Sequence, residues 1–337
     1  MKFLNKTILI AFVALISMST YAQEEEAPTF SFSGSVDTYY RSSEYAPGSS
    51  FANLNGFALG MVNAIVSYEG EKSGFVADLV FGPRGADAVF ASPQSGDHFY
   101  RSSNIVNQLY VYYNLSDSFT LTLGNFNTFL GYEVISPVAN FNYSTSYMFS
   151  YGPFSHTGVK ADIALSDDVS LMLGVLNTTD NTEFQFADDD YYFGAQLGLY
   201  GQYINLLTGG LANATQIDFT GGIDITDSFF LGVNATSYED DDLKFSGFAL
   251  YPQLSLSDSF AIGARFEAFT DDGLGAIGSI SEKGDNTSFT LTGSFTSGNM
   301  MFKPEIRIDS ASGEYYTDAD GATDSLAAFI VAAIYSF

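Results

Sequence analysis

The chain has 337 residues, no Cys and no Trp, and sets 12 Lys and Arg against 39 Asp and Glu, a formal net charge of -27. That acidic excess excludes nucleic-acid binding by phosphate neutralisation, and the lack of Cys excludes thiolate metal centres, Cys nucleophiles and disulfide frameworks. His98 and His156 are the only histidines, so a multi-histidine metal centre is excluded too, and no cofactor or metal is expected.

Residues 1–22 have the form of a cleaved signal peptide. Lys2 and Lys6 precede the short apolar run Thr7 to Ile16, and small residues lead to Ala22. The run is about half the roughly twenty residues a membrane helix needs. A retained signal anchor is the alternative reading. Residues 23–28 then form a short periplasmic segment, and 29–337 a single domain.

That domain alternates at period two, which places successive side chains on opposite faces of a strand. In Gln216 to Ile225 one face carries Ile217, Phe219, Ile223 and Ile225, and the other Gln216, Asp218, Thr220 and Asp224. In Met300 to Asp309 one face carries Phe302, Ile306 and Ile308, the other Lys303, Glu305, Arg307 and Asp309. A soluble sandwich rarely aligns so many charges, whereas a barrel in lipid turns its apolar face outward and its polar face to a wet lumen. Thr38, Asn63, Asn125 and Gln253 blur the pattern. The expected strands are 29–40, 56–68, 74–82, 104–115, 119–130, 155–165, 169–178, 191–200, 203–208, 214–225, 229–238, 244–256, 260–270, 286–297, 300–309 and 325–337. The fold class is therefore all-β, an antiparallel transmembrane β-barrel of about 16 strands, with 14 as the fallback if Tyr191 to Gly210 does not divide.

A turn repeats along the chain. Leu115-Ser116-Asp117-Ser118-Phe119 returns around Ser166-Asp167, Thr226-Asp227 and Ser257-Asp258. Ser, Thr and Asp favour tight turns because they bond to nearby backbone. The uneven spacing argues against a solenoid. The opposite strand ends are joined by long polar segments at 41–55, 83–103, 131–153, 179–190, 271–285 and 310–323. Short periplasmic turns and long outer loops are the layout of an outer-membrane barrel.

The last strand places Phe329, Val331, Ala333, Tyr335 and Phe337 on one face. Tyr335 and Phe337 resemble the terminal aromatic signal read by barrel-assembly machinery. Tyr39, Tyr40, Tyr112, Tyr113, Tyr191, Tyr192 and Tyr238 also fall near strand ends, where an aromatic girdle belongs, although β propensity alone would place them in strands.

Three stretches carry a family resemblance: Gly124-Asn125-Phe126-Asn127-Thr128-Phe129-Leu130-Gly131-Tyr132-Glu133, then Asn142-Tyr143-Ser144-Thr145-Ser146-Tyr147-Met148-Phe149, then Tyr151-Gly152-Pro153-Phe154-Ser155-His156-Thr157-Gly158. Together they resemble the central signature of the β-barrel porin-2 (OmpL-like) outer-membrane proteins common in Bacteroidetes. The likeness is specific over 124–158 and loose over 186–213. It implies a multi-pass outer-membrane barrel in a Gram-negative bacterium, and a pore whose solute it does not name.

The loop 131–153 is the third long outer loop, and by analogy with general porins it folds inward and narrows the channel. Its aromatic residues Tyr132, Phe141, Tyr143, Tyr147, Phe149 and Tyr151, with Glu133, would then lie against the barrel wall. A cap on the outer rim is the alternative. His156 is expected as a lumen residue bonded at the loop base. The polar faces present Asp37, Asp78, Asp162, Asp218, Asp224, Glu267 and Glu305 as acids and Lys160, Arg265, Lys303 and Arg307 as bases. Arg265, Lys303 and Arg307 form a basic wall in an acidic channel, or else are neutralised by Glu267, Glu305 and Asp309.

The expected function is passive diffusion of small polar solutes, with mild cation preference. The expected partners are outer-membrane lipid and lipopolysaccharide, barrel-assembly machinery, those solutes and further copies of the chain. Acid runs at Asp188–Asp190, Glu239–Asp242 and Asp318–Asp320 suit a solvated surface or loose divalent bridging to lipopolysaccharide. The other reading is a closed barrel serving as surface adhesin or scaffold. An enzyme is not expected, because Asp97, His98 and Arg101 have no nucleophile motif beside them.

Overall fold

Alternating strands that leave no free edge are the β structure lipid tolerates, because every backbone amide then pairs with a neighbour. The computed structural model describes residues 28–49, 51–91, 103–184, 190–277 and 283–337. The expected signal segment and the Asp97, His98 and Arg101 group lie outside these. The strands are β1 (Thr29–Arg41), β2 (Gly56–Glu69), β3 (Ser73–Phe81), β4 (Val106–Ser116), β5 (Phe119–Asn127), β6 (Ser155–Ser166), β7 (Val169–Leu176) and β8 (Tyr192–Leu199). They continue as β9 (Gln202–Gly209), β10 (Ala214–Thr226), β11 (Phe229–Glu239), β12 (Lys244–Ser257), β13 (Phe260–Asp272), β14 (Lys283–Ser297) and β15 (Met300–Ala311). A short hairpin, β16 (Tyr316–Asp318) with β17 (Gly321–Thr323), decorates the loop before β18 (Ser325–Ser336).

Each long strand pairs antiparallel with its sequence neighbour, and β18 pairs with both β15 and β1 to close the sixteen-stranded barrel. Tyr191 to Gly210 does divide. Tyr200 and Gly201 take positive φ of 52° and 77° and turn the chain between β8 and β9. The repeated turns are held by their first hydroxyl rather than by the aspartate. Ser116, Ser166, Thr226 and Ser257 each accept the amide two residues on, at 3.3 Å.

Burial is inverted relative to a soluble protein. Ile217, Phe219, Phe266, Ile306 and Phe329 are exposed, while Asp218, Arg265, Glu267, Glu305 and Arg307 are buried. This is the lipid-facing and inward-facing division the alternation predicts. At Asn63 the blur has a bulge as its cause. Val36 faces Val62 but Thr38 faces Leu59, so Gly60 and Met61 share the place opposite Asp37. The extra residue flips the phase of β2, and Asn63 points inward to Asp78.

Two expectations need correction. Tyr39 is 4% exposed and faces the interior, whereas its neighbour Tyr40 faces out, so half of each Tyr pair cannot join a girdle. The inward face of β18 is apolar, not polar. Ile330, Ala332 and Ile334 pack with Tyr39 and Tyr143, because a loop ring seated there requires an apolar bed.

Candidate functional site

The segment between β5 and β6 turns into the barrel. Thr128 begins the turn: its amide donates to Phe154 O at 2.9 Å, its hydroxyl accepts from Leu130 N at 3.1 Å, and the same hydroxyl lies 2.9 Å from His156 Nε2. Gly131 then takes φ of 85°, a conformation favoured by glycine, and donates its amide to Asp218 Oδ1 on β10 at 3.0 Å. The loop ends in one helical turn, Tyr147–Tyr151, whose preceding Ser146 accepts from Phe149 N.

Wall carboxylates hold the loop by its amides. Glu305 accepts from Tyr143 N at 2.7 Å and Ser144 N at 3.1 Å, and Glu267 from Tyr147 N at 3.0 Å and Met148 N at 2.9 Å. Wall cations hold its carbonyls. Arg265 donates to Ser144 O at 2.6 Å and Thr145 O at 3.2 Å, Arg307 to Thr145 O at 2.7 Å, and Lys303 to Pro137 O at 3.0 Å and to Asn140 O. A backbone without regular hydrogen bonds would be costly to bury, and these charged side chains supply the missing partners. Glu133 returns the arrangement, leaving the loop to meet Arg265 Nη1 at 2.7 Å while accepting Ser146 N at 2.8 Å.

The rings fill what remains. Tyr143 donates its hydroxyl to Asp37 Oδ2 at 2.6 Å and packs on Tyr39. Tyr147 and Tyr151 lie against Phe269, and Phe149 against Phe51 and Phe154. Tyr132 stacks on Tyr251 with centroids 4.2 Å apart. Wall glycines make the room. A Cβ on Gly232 would lie 2.4 Å from Tyr132 Oη, on Gly247 2.3 Å from Met148 Cγ, and on Gly263 2.5 Å from the Phe141 ring. Glycine in a strand interior marks such close approach. Gly194 on β8 does the same under Phe129.

The residues singled out as channel-lining all sit on inward faces, but they divide into two groups. Asp37, Asp78, His156, Asp218, Arg265, Glu267, Lys303, Glu305 and Arg307 are buried. Lys160 and Asp162 pair at 2.6 Å near the short-turn end and stay open to water, as does Asp224. Arg265 meets Glu133 in the ion pair, while Arg307 pairs with Asp309 at 2.9 Å. The basic wall is thus engaged by loop carbonyls and does not face water. Sequence reasoning missed Arg84, which donates to Ile135 O at 3.1 Å and Tyr143 O at 3.3 Å beneath the Tyr143 ring. It also missed Asp180, after β7, whose Oδ1 accepts Phe154 N at 2.6 Å and Ser155 N at 2.9 Å. Neither residue lies in an alternating run, so no periodicity marks it. Tyr335 faces outward; Phe337 pairs its backbone with Gly34 and its ring with Phe32.

On the short-turn side of the loop lies a cavity of about 390 Å³, lined by Tyr132, Phe141, Asn142, Tyr251, Gln253 and Lys303 among others. A closed, inside-out barrel of sixteen strands with a loop seated in its lumen defines the class of outer-membrane porins. The chain belongs to the family described as "Putative beta-barrel porin-2, OmpL-like", whose profile matches residues 29–337. Similar solved structures share the fold. The anion-selective porin from Comamonas acidovorans is 9% identical with a TM-score of 0.60, covering 92% of this chain and 100% of that one. Salmonella typhi OmpF, in complex with daunomycin, is 10% identical with a TM-score of 0.59, covering 93% and 100%. The trimer form of in-vitro folded OmpT of Vibrio cholerae is 12% identical with a TM-score of 0.54, also covering 93% and 100%. No curated protein matches the chain.

Proposed function

We propose that this outer-membrane barrel passes small polar solutes by passive diffusion and that the loop 131–153 narrows it. The observation that carries this reading is the seating of the loop. Its amides and carbonyls bond to Glu305, Glu267, Arg265, Arg307 and Lys303, all inward-facing strand residues, which supports a position across the lumen over a cap on the rim. A barrel of this strand number is too wide for wall side chains to fill, so whatever occupies the lumen sets the opening. The fold and family support a channel rather than a catalyst.

The likeness to a trimeric relative supports an oligomer of this chain as part of the same proposal. So do lipid and lipopolysaccharide around the exposed apolar band, and the assembly machinery as reader of Tyr335 and Phe337. The signal peptide over 1–22 belongs to this reading of export.

A closed barrel serving as scaffold or adhesin is the second reading, favoured by the complete burial of Tyr143 and Tyr147 in the lumen. Single-channel conductance in a planar bilayer separates the two. The parent protein and a variant lacking residues 132–151, each shown folded by heat-modifiable gel mobility, are compared. Discrete steps that enlarge on excision are expected. Silence from both folded proteins would overturn the channel reading and favour the scaffold.

A further inference from the structure

We propose that solutes cross along the inner face of β11, past a gate formed by Tyr132 over Gly232 and through a neck walled by Asp218 and Asn234, and that this path favours cations over anions. The inference rests on the channel reading above and assigns its route and its selectivity residue.

The inward residues of β11 mark the route in order. Phe230, nearest the short turn, lines the lower cavity of about 390 Å³. Gly232 comes next and lies under the Tyr132 hydroxyl. Asn234 and Thr236 follow, facing a narrow gap of about 10 Å³ whose other walls are Gln216, Asp218, Met148 and Gly152. Tyr238 completes the series in an upper cavity of about 140 Å³, shared with Gln216, Gly152 and Asp180. Antiparallel pairing brings Asp218 beside Thr236 and Gln216 beside Tyr238, so β10 marks the same levels.

The flank along β10 to β12 is where the loop is held most weakly. Toward β13, β14 and β15 it is bound by the charged hydrogen bonds of Glu267, Arg265, Glu305, Arg307 and Lys303. Toward β10 to β12, among the described residues, it is held by Gly131 N to Asp218 and by neutral side-chain contacts, Gln253 to the Tyr132 hydroxyl at a long 3.5 Å and Ser146 with Tyr251, with Tyr132 and Met148 resting on Gly232 and Gly247. A gap of 10 Å³ barely admits one water, which needs about 10–15 Å³. Passage therefore requires Tyr132 and Met148 to swing aside, and both can do so by side-chain rotation without breaking a charged bond.

The chemistry of the neck sets the preference. Gln216, Asn234 and Thr236 offer amides and a hydroxyl, and Asp218 holds a carboxylate fixed by Gly131 N, Asn205 at 2.9 Å and Asn234 at 2.7 Å. The lower cavity sets Lys303 beside Glu133, and among the described residues lining the neck and the upper cavity, where the path is narrowest, there is no Lys or Arg, so the preference is set at the neck. A carboxylate in a narrow low-dielectric slot concentrates cations and repels anions.

The test is conductance and reversal potential of the full chain in planar bilayers under a potassium chloride gradient. Tyr132→Ala is expected to enlarge the steps. Asp218→Asn is expected to lower the cation-to-anion permeability ratio about tenfold, the low end of what a charged cleft does to local ion concentration. Thr236→Lys, which leaves the Asp218 bonds to Gly131 and Asn205 in place, is expected to shift it toward chloride. The loop-excised variant is the control. If it conducts while the parent and Tyr132→Ala are silent, the channel reading stands and this route is overturned. A ratio unmoved by both Asp218→Asn and Thr236→Lys also overturns it. Silence from every folded variant, the excised one included, overturns the channel reading and the route together.

Discussion

Arg265 and Glu133, 132 residues apart in the chain, meet in an ion pair of 2.7 Å at side-chain exposures of 0% and 3%. Among the described residues it is the one ion pair between the loop and the barrel wall. Breaking a buried pair from one side strands the other charge. Arg265→Ala is expected to cost about 3–5 kcal/mol, read as the denaturant midpoint at which the folded gel band disappears. Arg265→Lys should restore only part of this, because an ammonium cannot present the planar fork that reaches Glu133, Ser144 and Thr145 together. Full recovery with lysine would contradict this assignment.

The wall glycines should resist side chains in proportion to what lies above them. Gly263→Ala drives a Cβ to 2.5 Å from the Phe141 ring and is expected to cost about 1–3 kcal/mol as an overpacked substitution. Gly293→Ala is the control, since its nearest neighbours would lie at an ordinary 3.5 Å. Equal thermal midpoints for the two variants would refute the packing argument.

Tyr143→Phe separates a ring from its hydroxyl. The ring keeps its contact with Tyr39, while Asp37 loses a 2.6 Å donor and, among the described residues, keeps Met61 N at 3.0 Å. Hydrogen bonds to charged groups contribute about 1.5–3 kcal/mol, and a loss in that range is expected in the same unfolding assay. A neutral result would mean that Asp37 is satisfied by the bulge amide alone.

Asp180 gives the loop base a pH dependence. Burial of its carboxylate, opposed by the amides of Ser155 and Phe154, pushes its pKa up to about 6, although part of the residue's surface remains accessible. A carboxyl raised in the folded state binds its proton more tightly there than in the unfolded chain. Its contribution to stability is therefore full below the ordinary carboxylate range and declines as pH rises from about 4 to about 6. Both amide bonds go to Oδ1, which asparagine can also supply. Asp180→Asn should flatten thermal stability across that window, and an unchanged slope would remove Asp180 as its source.

Much of the wall could be read without coordinates. The sixteen expected strands match the barrel strands to within a few residues, since alternation, hydroxyl turns and polar loops are local properties of the chain. The inward faces of Asp218, Glu267 and Arg307 followed from parity alone. Parity failed at Asn63, where a bulge inserts one residue; at β18 parity held but the inner face is apolar instead of polar, because Tyr143 rests on it. Arg84 and Asp180 gave no signal, because one acts from a short helix (Pro83–Ala88) and the other from a loop, each on backbone well separated from it along the chain.

The sequence by itself determined the barrel, its orientation to lipid and the loop that stands apart by its aromatic content. Only the tertiary structure decided what the interior charges do. Parity says which way a side chain points, but not what waits opposite. Arg265, Lys303 and Arg307 point into the lumen as their positions require, and there they meet carbonyls of the incoming loop instead of water. Loop backbone has no periodicity to advertise its unpaired groups, so the pairing of wall charges with loop amides and carbonyls exists only once the chain has closed on itself.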